Sequence, residues 1–417
     1  MNPWLIAFLL ITSLEFILEQ SANLLNIKQL SPTVPAPFKQ LYDQQEYARS
    51  QSYLLENTRL AILKRNLLTP LLLTCIVLGG FGKLDHLART LSDNMILCGL
   101  IYTGLLAILS GLINLPFTLY SQFNIEERYG FNRTSWKTFI TDLLKISLLS
   151  IIIGGPLLAA ILWILDSLGA IAWLICWIAM ICFQLVMIYL GPEVIMPLFN
   201  RFTPLEEGPL KELIKAYARE QNFKLDDVYT MDGSKRSSKA NAFFTGFGKS
   251  RRVVLFDTLV NQHSDQECLA VLAHEVGHYK HRHIHKQFIA GTVSQGLMFW
   301  LMSICLTNPE LYKTFGVSFE PINGSPPIYA GLVIFGLLYT PVSYLTQLVL
   351  NALSRRYEYQ ADEFAARTIG DPHSLVRALT TLTVNTLGNL TPHPLRVMLS
   401  YSHPPILRRI QALETLA

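Results

Sequence analysis

Leu168–Leu190 reads LGAIAWLICWIAMICFQLVMIYL, with no charged residue anywhere in it. A helix of roughly 20 apolar residues spans the hydrocarbon core of a bilayer, because its backbone N–H and C=O groups pair internally and only side chains meet lipid. Six further runs have the same character: Pro3–Leu18, Asn66–Gly82, Ile96–Tyr120, Ile146–Leu165, Phe288–Leu306 and Ile328–Leu350. Pro3–Leu18 has no basic region ahead of it, carries Glu15 and Glu19 on or beside it, and shows no small-residue cleavage site. It therefore reads as a retained first span and not as a signal peptide. Composition agrees. The 417 residues are 51% hydrophobic and 15% charged, whereas soluble proteins carry about 25% charged residues. The expectation is an all-α-dominated, multi-spanning membrane protein with seven transmembrane helices.

A net charge of +4 is too small to suggest a nucleic-acid partner, but its distribution is informative. With seven spans the connecting segments alternate sides. The interval 20–65, the loop 121–145, the segment 191–286 and the tail after Ser354 then share a side rich in Lys and Arg. The opposite side holds little beyond Lys83, Arg89 and Lys313. The positive-inside rule puts the N-terminus outside and the long segment and tail in the cytoplasm. The organisation expected is five spans within 1–190, a polar segment 191–287, two spans within 288–350, and a helical tail 351–417. Of six cysteines, five lie in apolar runs and none forms a Cys-x-x-Cys pair, so they read as small buried hydrophobes.

Within the polar segment, Leu205–Gln221 has helical spacing of apolar residues. Asp227–Met231, Arg252–Phe256 and Asn241–Phe244 are short, β-branched or aromatic stretches of the kind strands use. A small sheet is expected, a hairpin at least, making this an α+β region. A long helix should follow from Ser264 or Asp265, since Ser264 and Glu267 form a capping-box pattern. That helix carries AHEVGH, Ala273–His278. His274 and His278, at i and i+4, leave one helical face and can reach one metal ion, and Glu275 sits one step around it, placed to act on water.

A third ligand must come from elsewhere in the chain. His281, His283 and His285 follow closely, without the glycine of a metzincin pattern, and read as a basic flank facing the membrane. Glu358 and Asp362, again i and i+4, are stronger: one carboxylate can ligate while the other takes a proton from a ligand histidine's outer nitrogen. The simpler reading of Glu358 is an exposed ion pair with Arg355. Three protein ligands would leave a fourth zinc position open, as catalytic zinc requires, with Glu275 as general base.

These segments, together with IEERYGFN at 125–132, PLFNRFTPL at 197–205, SKRSS at 234–238, NAFF at 241–244, VLFDTL at 254–259, YEYQAD at 357–362 and SHPP at 402–405, resemble the type I CAAX prenyl proteases, the a-factor-converting family of membrane gluzincins. The resemblance spans nearly the whole chain, with Tyr279 standing where eukaryotic members are expected to carry tryptophan. It implies one Zn2+ held by His274, His278 and Glu358, in a chamber enclosed by seven spans, with the zinc near its cytoplasmic end. It further implies Asp362 buttressing a ligand histidine, and His403 and Arg409 lining the site. Asn241, Ala242 and Phe243 would form the strand edge that pairs with substrate backbone.

The function expected is zinc-dependent endopeptidase cleavage near the C-terminus of CAAX-type substrates, prenylated or not, by a monomer in a bacterial inner membrane or the endoplasmic reticulum. The tail LETLA, 413–417, carries no retention signal that would choose between them. Two rival readings stay open. One is a quality-control protease for unprenylated or translocation-stalled membrane proteins. The other, from a different class, is a transporter or lipid-binding chamber without hydrolysis, in which acids such as Glu15 mark a conduction path.

Overall fold

The apolar runs are largely helical, but Asn66–Gly82 crosses a break between the helices Gln44–Val77 and Gly80–Leu91, and most of the helices run further than the apolar stretches do. The computed structural model describes residues 2–39, 42–225, 227–247, 250–322 and 325–416. Among these, six helices are long and apolar enough to cross a bilayer: Pro3–Lys28, Gln44–Val77, Met95–Glu126, Trp136–Ser167, Gly169–Phe199 and His283–Cys305. Ile328–Leu338 and Thr340–Ile369, bent by 54° at Tyr339, make a seventh when taken as one broken span. Three of the long helices are assembled from pieces. π-helical turns at Ser121–Glu126, Ser150–Gly154 and Gly191–Ile195 carry the chain on. Pro156 lies two residues past the second turn and Pro192 lies in the third, where proline's missing N–H disturbs the regular ladder.

The interval 20–65, expected to be a loop outside the membrane, is largely helix. Pro3–Lys28 continues past the end of its apolar run, and Gln44–Val77 begins well before its own. Asp43 caps the latter by accepting from the N–H groups of Gln45 and Glu46. Leu144, Ile151, Tyr189, Val293 and Leu345 lie exposed on the spans. So much contiguous apolar surface fits hydrocarbon and not water. The acids near the N-terminus are paired: Glu15 with Arg65 at 3.2 Å, and Glu19 with Arg396 at 3.1 Å and with the Tyr344 hydroxyl at 3.0 Å. Cysteine burial departs from expectation. Cys98, Cys176 and Cys268 are buried, but Cys182 is exposed, facing outward from its span.

The polar segment folds into a four-stranded sheet, larger than a hairpin. Its strands are β1 (Phe202–Pro204), β2 (Asp227–Met231), β3 (Ala242–Phe247) and β4 (Ser250–Phe256), in spatial order β1-β2-β4-β3. The β3–β4 pair is the hairpin, with Ala242 opposite Leu255 and Phe244 opposite Val253, and β2 runs parallel to β4. Val228, Val253 and Leu255 turn one face of the sheet into a core shared with Leu269, Leu272, Ala273 and Val276 of the helix Asp265–Lys280. We call that helix the motif helix. The Ser264–Glu267 capping box opens it, with both reciprocal hydrogen bonds made. The helix expected at Leu205–Gln221 is shorter, at Pro209–Glu220, opening on Pro209 after Gly208.

Thr340–Ile369, the ligand helix below, crosses the boundary expected between the last span and the tail. One rigid element thus carries Tyr344 at its membrane end and Glu358 and Asp362 further along. Three shorter helices, Pro372–Asn385, Pro394–Ser400 and Ile406–Glu414, pack around it to close the tail.

Candidate active site

The motif helix and the ligand helix cross at Gly277, where only a hydrogen separates the backbones: a Cβ there would lie 3.0 Å from both the Cα and the carbonyl oxygen of Ala361. This close approach sets Glu358 beneath the two histidines. His274 Nε2 lies 3.1 Å from His278 Nε2. Glu358 Oε2 is 3.4 Å from the first, and Glu358 Oε1 is 3.2 Å from the second. Each histidine nitrogen thus meets a different oxygen of the one carboxylate, and one ligand atom from each of the three residues lies within 4.8 Å of the others. Metal–ligand bonds of about 2.0–2.2 Å in tetrahedral geometry put neighbouring donors roughly 3.3–3.6 Å apart, a spacing this group can meet around one small cation. Glu358 Oε2 is buried and has no hydrogen-bond partner among the described residues, which leaves an acceptor aimed at that position. A soft site would need thiolates, and nitrogen with carboxylate oxygen is instead the donor set of zinc-type cations.

The outer atoms are held as firmly. His274 Nδ1 donates to Asp362 Oδ1 at 2.8 Å. Arg409 Nε and Nη2 fork onto the same carboxylate at 2.8 and 2.6 Å, and Nη1 approaches Glu358 Oε2 at 3.5 Å. Burial alone would push His274 below its ordinary value, but Asp362 and then Glu358 reverse this and hold it at about 9, the mark of a site that favours positive charge. Burial pushes the Glu275 carboxyl above its usual range, which the nearby histidines partly offset.

Each expected residue can now be placed. His274, His278, Glu358 and Asp362 converge. Arg355 does not pair with Glu358, because its guanidinium binds the carbonyls of Val397 and Tyr401. Arg409, expected to line the site, is buried and spends its guanidinium on Asp362. His403 is exposed and stands 3.4 Å from Glu358 Oε1 through Nε2, while its Nδ1 lies 2.9 Å from the Ser402 hydroxyl. Asn241 is exposed just before β3, the terminal strand of the sheet. Its carbonyl accepts from Phe256 N–H at 3.0 Å, so Asn241 faces β4. Antiparallel alternation then turns the backbone groups of Ala242 and Phe244 toward the open edge, where the Ala242 N–H donates to Asn241 Oδ1 at 2.9 Å. The side chains of Ala242 and Phe244 pack on the motif-helix core, while Phe243 turns to the other face, edge-on to Phe256.

One of the flanking histidines does not behave as a basic flank. His281 and His285 are exposed, as expected, but His283 is buried and touches His278. The segments ahead of β3 also meet. Arg236 forks onto Asp142 at 2.7 and 2.9 Å and reaches Asn200, while Lys239 binds Glu126 at 2.8 Å. Asn132 bridges Ser237, so the stretches 125–132, 197–205 and 234–238 fasten the approach to β3 onto the membrane helices.

A His-His-Glu group able to hold a metal, on two crossed helices of a chain with six or seven candidate membrane spans, is the arrangement expected of a membrane metallopeptidase. Comparisons with known proteins agree. Residues 23–201 match the CAAX prenyl protease N-terminal region of five membrane helices, and residues 204–417 match peptidase family M48. CAAX prenyl protease 1 of Saccharomyces cerevisiae is 35% identical, covering 99% of this chain and 95% of that one. The homolog of Oryza sativa subsp. japonica is 36% identical, over 99% and 97%. The crystal structure of S. mikatae Ste24p superposes with a TM-score of 0.94 at 33% identity, covering 99% of this chain and 100% of that chain. The chain belongs to peptidase family M48, alongside the CAAX prenyl proteases.

Proposed function

We propose that the chain is a zinc endopeptidase that cuts peptide bonds near the C-terminus of CAAX-type substrates at the cytoplasmic face of a membrane. The convergence of His274, His278 and Glu358 into one group able to hold a metal carries this reading. Its substrate class rests on relatives named CAAX prenyl protease 1 that align over nearly all of both chains. Seven spans, with the bent pair counted as one, would enclose a chamber leading to the site. The surplus of Lys and Arg beside the site favours the cytoplasm for it, for the polar segment 191–287 and for the tail 351–417, with the N-terminus outside.

The residues divide the work as follows. His274, His278 and Glu358 hold the zinc, which when bound supplies a Lewis acid and lowers the pKa of water. Glu275 accepts the proton of the attacking water and delivers it to the leaving amine, a task suited to a carboxyl already raised by burial. Asp362 keeps the His274 proton on Nδ1, freeing Nε2 as a ligand, and Arg409 holds Asp362. The Ser402 hydroxyl donates to His403 Nδ1, leaving Nε2–H to stabilise charge on the carbonyl oxygen. The outward backbone groups of Ala242 and Phe244, in the edge opened by Asn241 and carrying Phe243, pair with the substrate as an added strand.

Matched prenylated and unprenylated peptides, with cut sites mapped by mass spectrometry, test the reading. Chelator-sensitive cleavage next to the modified cysteine is expected, faster for the prenylated peptide. Equal rates would remove the lipid from recognition, and no cleavage of either by metal-loaded protein would sink the assignment.

A further inference from the structure

The two metal-ligand histidines are buttressed in different ways. His274 gives its outer proton to a carboxylate. His278 turns its outer nitrogen to another imidazole, His283, with Nδ1 3.1 Å from Nδ1. On its far side, His283 Nε2 lies 2.9 Å from Gln360 Oε1. The ring is 1% exposed and lies flat on Tyr357, with centroids 4.3 Å apart at 13°. Tyr357 and Gln360, three residues apart on the ligand helix, therefore clamp the ring by its face and by its edge.

Accepting the reading of the site given above, we propose that His283 is the positioning residue that sets the tautomer of His278, and that Gln360 sets the polarity of the pair. A chain of two neutral imidazoles and one amide can run in two directions. If Gln360 presents its oxygen, it can only accept, so the His283 proton stays on Nε2. His283 Nδ1 is then a lone pair, and it takes the proton of His278 Nδ1. That leaves His278 Nε2 free to bind a metal beside His274 Nε2 and Glu358. If the amide is reversed, each proton moves to the other nitrogen, and Nε2 of His278 carries hydrogen where the ligand lone pair belongs. Only the first polarity is compatible with a metal centre. A neutral acceptor also differs in charge from the carboxylate under His274. A second anion under His278 would add negative charge to a site already holding Glu358, Asp362 and Glu275, with Arg409 as the cation buried among them.

The backbone supports this placement. His283 follows His278 by five residues, a spacing that puts two residues on different faces of a continuous helix. The motif helix stops at Lys280, and Arg282 takes the left-handed conformation at φ 55°, uncommon for a side chain with a Cβ. The reversal at Arg282 folds the first residue of the helix His283–Cys305 back beneath the second ligand.

The test uses the full chain purified in detergent, with zinc affinity measured by competition against a chelating dye and Co2+ substituted as a spectroscopic probe. H283A and Q360L are expected to weaken zinc binding by about 10–100-fold, the usual effect of removing an outer partner of a ligand histidine, and to alter the Co2+ ligand-field bands. Q360E, whose carboxylate still accepts from His283 Nε2, should bind zinc more tightly than Q360L, a rescue that a packing role would not give. Wild-type affinity and spectrum in both H283A and Q360L would overturn the proposal. If H283A does not yield folded protein, Q360L and Q360E decide the matter alone, because the ring keeps its stack on Tyr357. Failure of the underlying reading looks different: the wild-type chain would then bind no zinc, or E358A would bind it unchanged.

Discussion

Gly277 and Ala361 are the contact point of the two helices that carry the candidate metal donors, and a Cβ on Gly277 would meet Ala361 Cα and O at 3.0 Å. Glu358 precedes Ala361 by three residues, so any outward shift of the ligand helix moves its carboxylate away from the histidines. G277A should therefore force the helices apart by a few tenths of an ångström. The cost expected is about 1–3 kcal/mol of stability, as for other overpacked contacts, together with weaker metal retention. Thermal unfolding and chelator competition read both. Unchanged zinc affinity in a destabilised G277A would mean that the ligand helix tolerates displacement without moving Glu358.

Glu275 is the acid of the site not committed to the two histidine nitrogens or to a guanidinium. E275Q keeps its shape and removes its basicity, so peptide cleavage should fall by about 10²–10⁴-fold while metal content stays at the wild-type level. Metal analysis and turnover are measured on the same preparation. A variant that lost its metal would place Glu275 among the ligands instead.

Glu358 bridges both histidine nitrogens from a position 3% exposed. E358A removes one donor of three and leaves Arg409 and the histidines facing a cavity. Loss of bound zinc and of activity is expected, with neither restored by added Zn2+ at concentrations that reload the chelator-stripped wild type. Stoichiometric zinc in E358A would point to another third ligand.

Much of this site was legible in the sequence because its residues repeat at helical spacing. His274 and His278, then Glu358 and Asp362, are i and i+4 pairs, and one helix face delivers each pair together. His283 was not legible for the corresponding reason. Its relation to His278 runs through the left-handed turn at Arg282, and turn geometry leaves no periodic trace. Gly277 was hidden similarly, since its role lies in what approaches it. The spans were found by hydropathy, which marks where the chain leaves lipid and not where its helix ends. Gln44–Val77 accordingly extends far into what read as loop. Phe202–Pro204 is too short, and ends on too poor a strand residue, to announce itself as a strand.

Asp362 and Arg409 make a buried fork that also touches His274. The two partners should respond differently to removal. D362N keeps the hydrogen-bond geometry but weakens the pull on the His274 proton, so about a 10–100-fold loss of zinc affinity is expected with modest loss of stability. R409L leaves two carboxylates buried without their cation and should cost about 3–5 kcal/mol. Unfolding midpoints against zinc competition separate the two effects. Equal destabilisation by both variants would show that the fork acts as scaffold alone.

The open edge of β3 makes a prediction about the substrate and not about the enzyme. If Phe244 offers its outward N–H and C=O, and Ala242 its C=O, to an added strand, hydrogen bonds form only with alternate residues of the peptide. Each such bond is worth about 0.5–1.5 kcal/mol net. N-methylation of a substrate amide that faces β3 should then raise KM by roughly 2–12-fold, as that range implies at 1.4 kcal/mol per decade. Methylating the neighbouring amide, which points away, should do little. The expected result is an alternation in KM along a methyl scan, with kcat held more nearly constant. A scan in which every position responded alike would indicate steric exclusion from the cleft, and recognition would have to be sought in side-chain contacts such as those at Phe243 and His403.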